Sequence, residues 1–552
     1  MKERQKVIIF QGGRKMKLQN MKRIVACVLA GVLVGCSLVG CGNGGTNSSG
    51  KGKGNVGDVE VTYPLKEKVT LTMATLESAV ISAHADDLME TPFGKAWQEA
   101  TGVEIDLEVF ADSTALNLMY ASGELPDIIL APFSGYSGGV DNAIRDQVIQ
   151  PITDYMAYAP DLQAVLDGNE YWKKCATTAD GDIVGFPFIR GSEEILSPAG
   201  LIYRQDYLDA VGMEVPDTAD EFYAVLKAFK EKLNIEYPFS VSKAWLTGYG
   251  LEKGVMTSPF GLVNSSWYQV DGTIHFGAAE PQYKEVLAFL NKLYKEKLLD
   301  NNFSTVSFEN MGANLMNDDT GVVLSAMQSG LGNYEAAMED SENFALVPGK
   351  SLVAKDGDTP MYGHYDFALN GYYAVITPSC KNIEAAVQFL NYGYTEAGSN
   401  LFNFGIEGET FNIVDGAPVF TDVILNNEYG WTIQEAMAQY TLSWHAGPFV
   451  QSKDVLQINT YDSQKLALER WAAHDAKNYN VPNLSVSSED LSQYTRLMSD
   501  INTYIGEMTI KYIMGEKSLN DFESEYMATL EKLEMDKVIS MMQKSLDTFN
   551  EK

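Results

Sequence analysis

Cysteine is scarce in this chain: there are five among 552 residues, at 27, 36, 41, 175 and 380. The first three crowd into the N-terminal segment, so only Cys175 and Cys380 remain for the body of the protein. Two cysteines so far apart make no disulfide framework and read as small buried apolar side chains. Histidine is as rare, and its five copies include no pair at the H-x-x-x-H spacing that sets two imidazoles on one helix face. No acidic loop has EF-hand spacing, and no residue is assigned as a metal ligand. Basic side chains are also few, 41 against 74 Asp and Glu. The first 40 residues hold eight Lys or Arg and one Glu, which leaves 33 basic and 73 acidic side chains, a net charge of −40, in the rest. Such a surface repels nucleic acid and anionic lipid. There is no internal repeat, and no long disordered insert interrupts the body. The apolar run 24–34 is short of the roughly twenty residues that a membrane helix needs.

That run is informative through its flanks. Lys22 and Arg23 precede it, as in a secretory signal. It leads to LVGC at 38–41, which resembles a bacterial lipobox: small residues, then a cysteine that is acylated before cleavage. LVGC at 33–36 fits the same pattern, so Cys36 is the alternative. Cys41 is preferred because a polar, Gly-rich stretch follows it directly. Residues 1–40 are therefore expected to form a signal peptide, of which 1–15 or 1–20 are untranslated if Met16 or Met21 is the start. Cys41 is expected to carry the lipid. Residues 41–60 are expected to form a flexible linker with a mean reach of about 20 Å. Within it, GTNSSGK at 45–51 imitates a phosphate-binding loop. Gly52 then stands where a Ser or Thr is needed, and no strand precedes the stretch, so the motif is rejected.

Folded structure is expected from about Val69. Residues 69–74 alternate like a half-buried strand, and so do Val103, Ile105, Leu107 and Val109. Between them, Thr91 and Pro92 signal a helix start and Gly102 its end. A short helix near 116–120 stops at Gly123, and a third strand follows at 127–130. Asp180-Gly181 and Asp271-Gly272 read as hairpin turns. Thr218 and Glu221 have capping-box spacing, ahead of a helix with Phe222, Val225, Leu226, Phe229 and Leu233 on one face. Strands alternating with helices indicate an α/β architecture. About 490 ordered residues exceed what one core holds, so two lobes are expected.

Several stretches, in this order, then resemble one family. TPFGKAWQEATG at 91–102 is similar to its first helix, and ASGELPD at 121–127 to a conserved-looking turn after it. GFPF at 185–188 resembles a strand entering a hinge. GLIYRQDYL at 200–208, AVG at 210–212 and the capped helix at 218 form the most specific stretch, and AVITPSCKN at 374–382 resembles a return crossing. The family is the extracellular solute-binding lipoproteins of ABC importers, of the carbohydrate-binding type found in Gram-positive bacteria. The resemblance implies a two-lobed periplasmic-binding-protein-like fold of type II, with ligand held in a cleft between lobes joined by crossing strands. Carried over, the first lobe comprises 61–189 plus 325–370, and the second 190–324 plus 371–552 with the terminal helices. It also implies a carbohydrate ligand, ABC permease subunits with an associated ATPase as partners, a monomer, and membrane contact through the lipid alone. It calls for no cofactor and no catalytic residue.

A sugar cleft needs aromatic faces for the C–H faces of the ring and polar groups for its hydroxyls. Candidates are taken from strand ends and hinge segments: Glu77, Phe133, Tyr136, Arg190, Trp245, Phe260, Tyr334, His364, Tyr365, Asp366, Trp431 and Trp444. Aromatics in a large α/β protein are more often core, and Trp97 and Trp267 are assigned to packing. The rival class is a secreted serine hydrolase. GYSGG at 135–139 has the G-x-S-x-G spacing, with Ser137 as nucleophile and His364, His445 or His474 available downstream. Against it, residues 131–134 separate the strand from the motif, whereas a nucleophile elbow needs a tight junction.

Overall fold

The structure, a computed structural model, describes residues 59–551 apart from Ser134, Ala179 and Ser488. The expected signal segment, Cys36, Cys41 and nearly all of the Gly-rich linker lie outside the described residues.

In chain order the strands begin with β1 (Val69–Leu76), β2 (Val103–Phe110), β3 (Ile128–Pro132) and β4 (Phe186–Arg190). Then come β5 (Ala199–Arg204), β6 (Phe239–Ser240), β7 (Trp267–Val270), β8 (Thr273–Phe276), β9 (Val322–Ala326) and β10 (Leu346–Pro348). The last four are β11 (Leu369–Ile376), β12 (Phe411–Val414), β13 (Ala417–Phe420) and β14 (Val450–Gln451). Six form one sheet in the order β14-β4-β11-β3-β1-β2, and four form a second in the order β10-β5-β9-β6. β7 and β8 form a hairpin of their own, as do β12 and β13.

Local chemistry explains the elements. The Thr91 hydroxyl accepts from the Gly94 N–H at 3.0 Å and starts the helix Pro92–Thr101. Gly102, at φ +73°, ends it in a conformation that a side chain would disfavour. The capping box at Thr218 and Glu221 starts the helix Ala219–Leu233, which buries Phe222, Val225, Leu226 and Phe229. β1 buries Leu71 and Met73 and exposes Thr70 and Thr72, then is buried continuously at Ala74 and Thr75. That change marks where helices cover both faces of the sheet. On one face Trp97 is fully buried and stacks on Phe389 at 4.3 Å. Truncating such a side chain costs about 3–5 kcal/mol.

The lobes divide differently from the expectation. Residues 325–370 were expected in the first lobe and 371 onward in the second. The pairing reverses this: β10 pairs with β5 (Val347↔Tyr203), whereas β11 pairs with β3 and β4 (Tyr373↔Ala131, Leu369↔Ile189). The first lobe is thus built on the strands of 69–190 and 369–451, and the second on those of 199–348 plus helices from 462 on. The reason is physical. An apolar strand carries no mark of which sheet it joins, and the partner is chosen by where the chain crosses. It crosses three times, between β4 and β5, between β10 and β11, and after β14.

The terminal helices close the fold. Leu497, Ile501, Met508 and Tyr512 of the helix Leu491–Met514 belong to the second lobe's core. The helix Met535–Glu551 begins in that core at Met535 and Val538. It ends with Phe549 in the first lobe's core, edge-on to Tyr171 at 6.1 Å. The last helix therefore touches both lobes.

Candidate ligand-binding cleft

Strand direction decides which residues meet. β1 runs parallel to β2 and β3, and β11 runs antiparallel to β3 and β4. The ends of β1, β3 and β4 and the start of β11 therefore share one edge of the sheet. Glu77, Phe133 and Arg190 stand on that edge. β2 lies on one side of β1 and β3 on the other, so strand order switches there, the position at which open α/β sheets hold ligands. In the second lobe, β5 starts at Ala199 opposite the end of β9 at Ala326, and β6 runs parallel to β9. That edge faces the crossings and carries the helical turns of 243–252.

At the crossings sits a compact ion cluster. Asp366 is 3.0 Å from Arg190 Nη2, 3.2 Å from Lys253 Nζ and 3.0 Å from His364 Nε2. Arg190 also donates to the Ile195 carbonyl at 2.9 Å. Burial acts to raise the Asp366 carboxyl, but His364, Arg190 and Lys253 overcome it and hold the group well below the usual carboxylate range. Burial lowers the His364 imidazole, against the pull of Asp366. The backbone is tied at the same place: Arg190 N–H donates to Ala368 O, Asp366 N–H to Leu196 O and Phe133 N–H to Gly371 O, at 2.8, 2.7 and 2.8 Å.

Between the lobes lies a cavity of about 1010 Å³. The first lobe contributes Phe133, residues 135–141 and Val184, and the second Lys243, Thr247, Glu252 and residues 264–267. Tyr362, Phe367 and Gly371 come from the crossings, and a further wall comes from 481–486 and the helix Leu491–Met514. Phe133 and Tyr136 have ring centroids 6.3 Å apart, each beside Tyr120. Burial, then Asp146, pushes the Tyr136 phenol up to about 12, so it remains a donor. Among the described residues, no group of three or more His, Cys, Asp or Glu is placed to hold a metal ion.

The twelve candidate residues separate into groups. Phe133 and Tyr136 line the cavity. Arg190, His364 and Asp366 form the ion cluster, and Tyr365 packs edge-on to His474 at 5.7 Å. Trp245 stacks on Tyr249 and Phe308 at 4.1 and 5.1 Å. Phe260 lies against Phe289 at the second lobe's core. Tyr334 is buried, bonded to Ser325 and lying over Gly312, so it is core rather than a cavity platform. Glu77 ends β1 with an exposed side chain. Trp431 stacks on His84 and Tyr429, and Trp444 on His445, at 4.3, 4.7 and 4.8 Å. Sequence reasoning missed Trp267, which packs on Phe276 as expected of a core residue yet also lines the cavity. It also missed the wall from the helix Leu491–Met514. The only sequence signal there was the run of Thr, Ser and Asn along an amphipathic helix.

The hydrolase arrangement is absent. β3 ends at Pro132, and a turn intervenes before the helix Gly139–Arg145. All five histidines engage other groups: His84 with Glu435, His275 with Glu280, His364 with Asp366, His445 with Tyr372 and His474 with Ser197. None is set against Ser137 as a general base.

Comparison with known proteins agrees with this geometry. The fructooligosaccharide ABC transporter substrate-binding protein FusA of Streptococcus pneumoniae serotype 4 is 26% identical, over 97% of this chain and 99% of its own. Lipoprotein LipO of Bacillus subtilis is 26% identical, over 78% of this chain and 80% of its own. The crystal structure of alginate-binding protein AlgQ2 without calcium ion has the same fold, with a TM-score of 0.71 at 20% identity, covering 89% of this chain and 100% of that one. FusA in complex with kestose also scores 0.71, at 22% identity, covering 87% of this chain and 99% of that one. The model of the bacterial extracellular solute-binding protein family matches residues 82–399, more than half of the chain. The chain belongs to the bacterial extracellular solute-binding protein family.

Proposed function

We propose that the protein captures a sugar or oligosaccharide outside the cell and delivers it to an ABC permease. One observation carries this reading: the cavity between the lobes combines aromatic rings, Tyr136 and Trp267, with neutral polar side chains. Rings cover the apolar faces of a sugar, while Ser, Thr and Asn pair with its hydroxyls. The relative FusA, which by its name binds fructooligosaccharide for an ABC transporter, supports the same reading, and the lipoprotein LipO supports the lipid anchor.

The capture mechanism follows from two walls on separate lobes. Sugar enters while they stand apart and touches both only when they close, so ligand populates the closed form. The crossings act as the hinge, with the Arg190–Asp366–Lys253 cluster holding their geometry. The closed form then docks on two permease subunits, and an ATPase drives release. Cys41 keeps the protein, a monomer, on the outer face of the membrane through its lipid. The protein binds without turnover and needs no cofactor. Of the twelve candidates, Tyr136 is assigned to ligand contact, with the buried Phe133 packed beside it.

Isothermal titration calorimetry of the mature chain against mono- and oligosaccharides tests the proposal. Saturable binding is expected, weakened about tenfold by Tyr136→Ala. If no carbohydrate bound, and an ester or glycoside were turned over by the protein but not by Ser137→Ala, the proposal would fall.

A further inference from the structure

The charge on the cavity wall narrows the ligand class. Among the described residues, its charged side chains are Asp141, Glu252, Lys243 and Lys253. Lys253 is engaged, with its amine 3.2 Å from the Asp366 carboxylate and donating to the Tyr365 carbonyl at the same distance. Lys243 is the other amine on the wall, and among the described residues no arginine lines it.

The rest of the wall is uncharged, and the helix Leu491–Met514 gives it a regular face. Thr495, Ser499 and Asn502 follow one another at spacings of four and three, which places them on one side of the helix toward the cavity. Ser499 and Asn502 are exposed there, and the Thr495 hydroxyl is shielded from solvent without a hydrogen-bond partner. That hydroxyl lies against Gly138 of the first lobe, so Ser499 and Asn502 are the groups of this face open to a ligand. Serine and threonine hydroxyls and the asparagine amide both donate and accept, as sugar hydroxyls do.

We propose that the cavity selects an uncharged oligosaccharide, and that the Ser499 and Asn502 face of the helix Leu491–Met514 reads its hydroxyls. This rests on the sugar-binding reading above. A uronate oligomer carries a carboxylate on each acidic unit, and each one buried without a cation is strongly disfavoured. Lys243 alone cannot balance several. The volume of about 1010 Å³ stands at the top of the range of roughly 300–1,000 Å³ for small-ligand pockets, which favours several sugar units over one.

Calorimetry of the mature chain with nystose, maltotetraose and cellotetraose on one side, and tri- and tetragalacturonate on the other, tests this. At least one neutral tetrasaccharide should bind, with both galacturonates at least a hundredfold weaker. Ser499→Ala and Asn502→Ala should each weaken the neutral ligand about tenfold. Both side chains are exposed, so the thermal midpoint should hold. Galacturonate binding equal to or tighter than the neutral sugars would overturn the charge argument while leaving the sugar-binding reading intact. Neutral binding that is unchanged in the Ser499→Ala, Asn502→Ala double variant would overturn the helix's role. If neither class bound, the sugar-binding reading itself would fall, and this proposal with it.

Discussion

Arg190, His364 and Asp366 were singled out in the sequence because polar groups at a hinge can meet a ligand. In the structure they meet one another, at 3.0 Å in each pair with Asp366. Their work is to hold the crossings together. Asp366→Asn would leave Arg190 and Lys253 without their counter-ion, and removing one partner of a buried pair costs about 3–5 kcal/mol. We expect that loss in urea unfolding at pH 7. The pH dependence follows from the lowered carboxyl. Because Asp366 stays ionised in the folded protein below its ordinary pKa of about 3.9, its contribution is complete above that value and is lost as pH falls further. The wild-type protein should therefore lose its margin over Asp366→Asn in acid. A margin that is constant from pH 7 to pH 3 would show that the cluster is not electrostatic.

At the scale of elements, two segments from opposite lobes meet at the loop after β3. Gly138 has φ +83°, and a Cβ there would stand 2.8 Å from Asn142 Cβ and 3.0 Å from Thr495 Oγ1 on the helix Leu491–Met514. A side chain at Gly138 is thus strained in its backbone, by about 1–2 kcal/mol, and crowded against the other lobe. Gly138→Ala should lower the thermal midpoint and weaken sugar binding more than Gly139→Ala, since both share the strain of a positive φ, +83° and +67°, but a Cβ at Gly139 meets nothing within 4 Å. Equal binding by both variants would mean that the loop and the helix do not approach during capture. The elements themselves were legible in advance. Thr91, Pro92 and Gly102 bounded one helix, Thr218 and Glu221 opened another, and Asp271-Gly272 joined β7 to β8, because caps and turns are read within a few residues. Tyr334 was not legible. Its place after an apolar strand suggested a platform, but the turn that follows β9 folds its ring over Gly312, inside the core.

For the whole molecule, capture as proposed implies motion about the crossings. The last helix complicates it, because Met535 and Val538 pack in one lobe and Phe549 in the other. Closure must carry that helix along or slide Phe549 against Tyr171. Small-angle scattering should record a smaller radius of gyration when a bound oligosaccharide saturates the protein. An unchanged radius at saturation would argue for a preformed cleft with no closure. The strongly acidic body, with a net charge of −40 beyond residue 40, keeps such a receptor clear of anionic lipid while it waits for ligand.

By itself the sequence determined the alternation of strands and helices and the ends of many of those elements. All of these are written in short windows, through apolar period, caps and turn residues. Only the tertiary structure decided which sheet claimed β9, β10 and β11, and which aromatic rings faced a cavity rather than a core. It also decided that a helix near the C-terminus should line the cavity begun by Phe133. Those outcomes depend on contacts between residues hundreds of positions apart, such as Arg190 with Asp366 and Gly138 with Thr495. No local pattern encodes such contacts, because they are set by how the chain crosses between its two lobes.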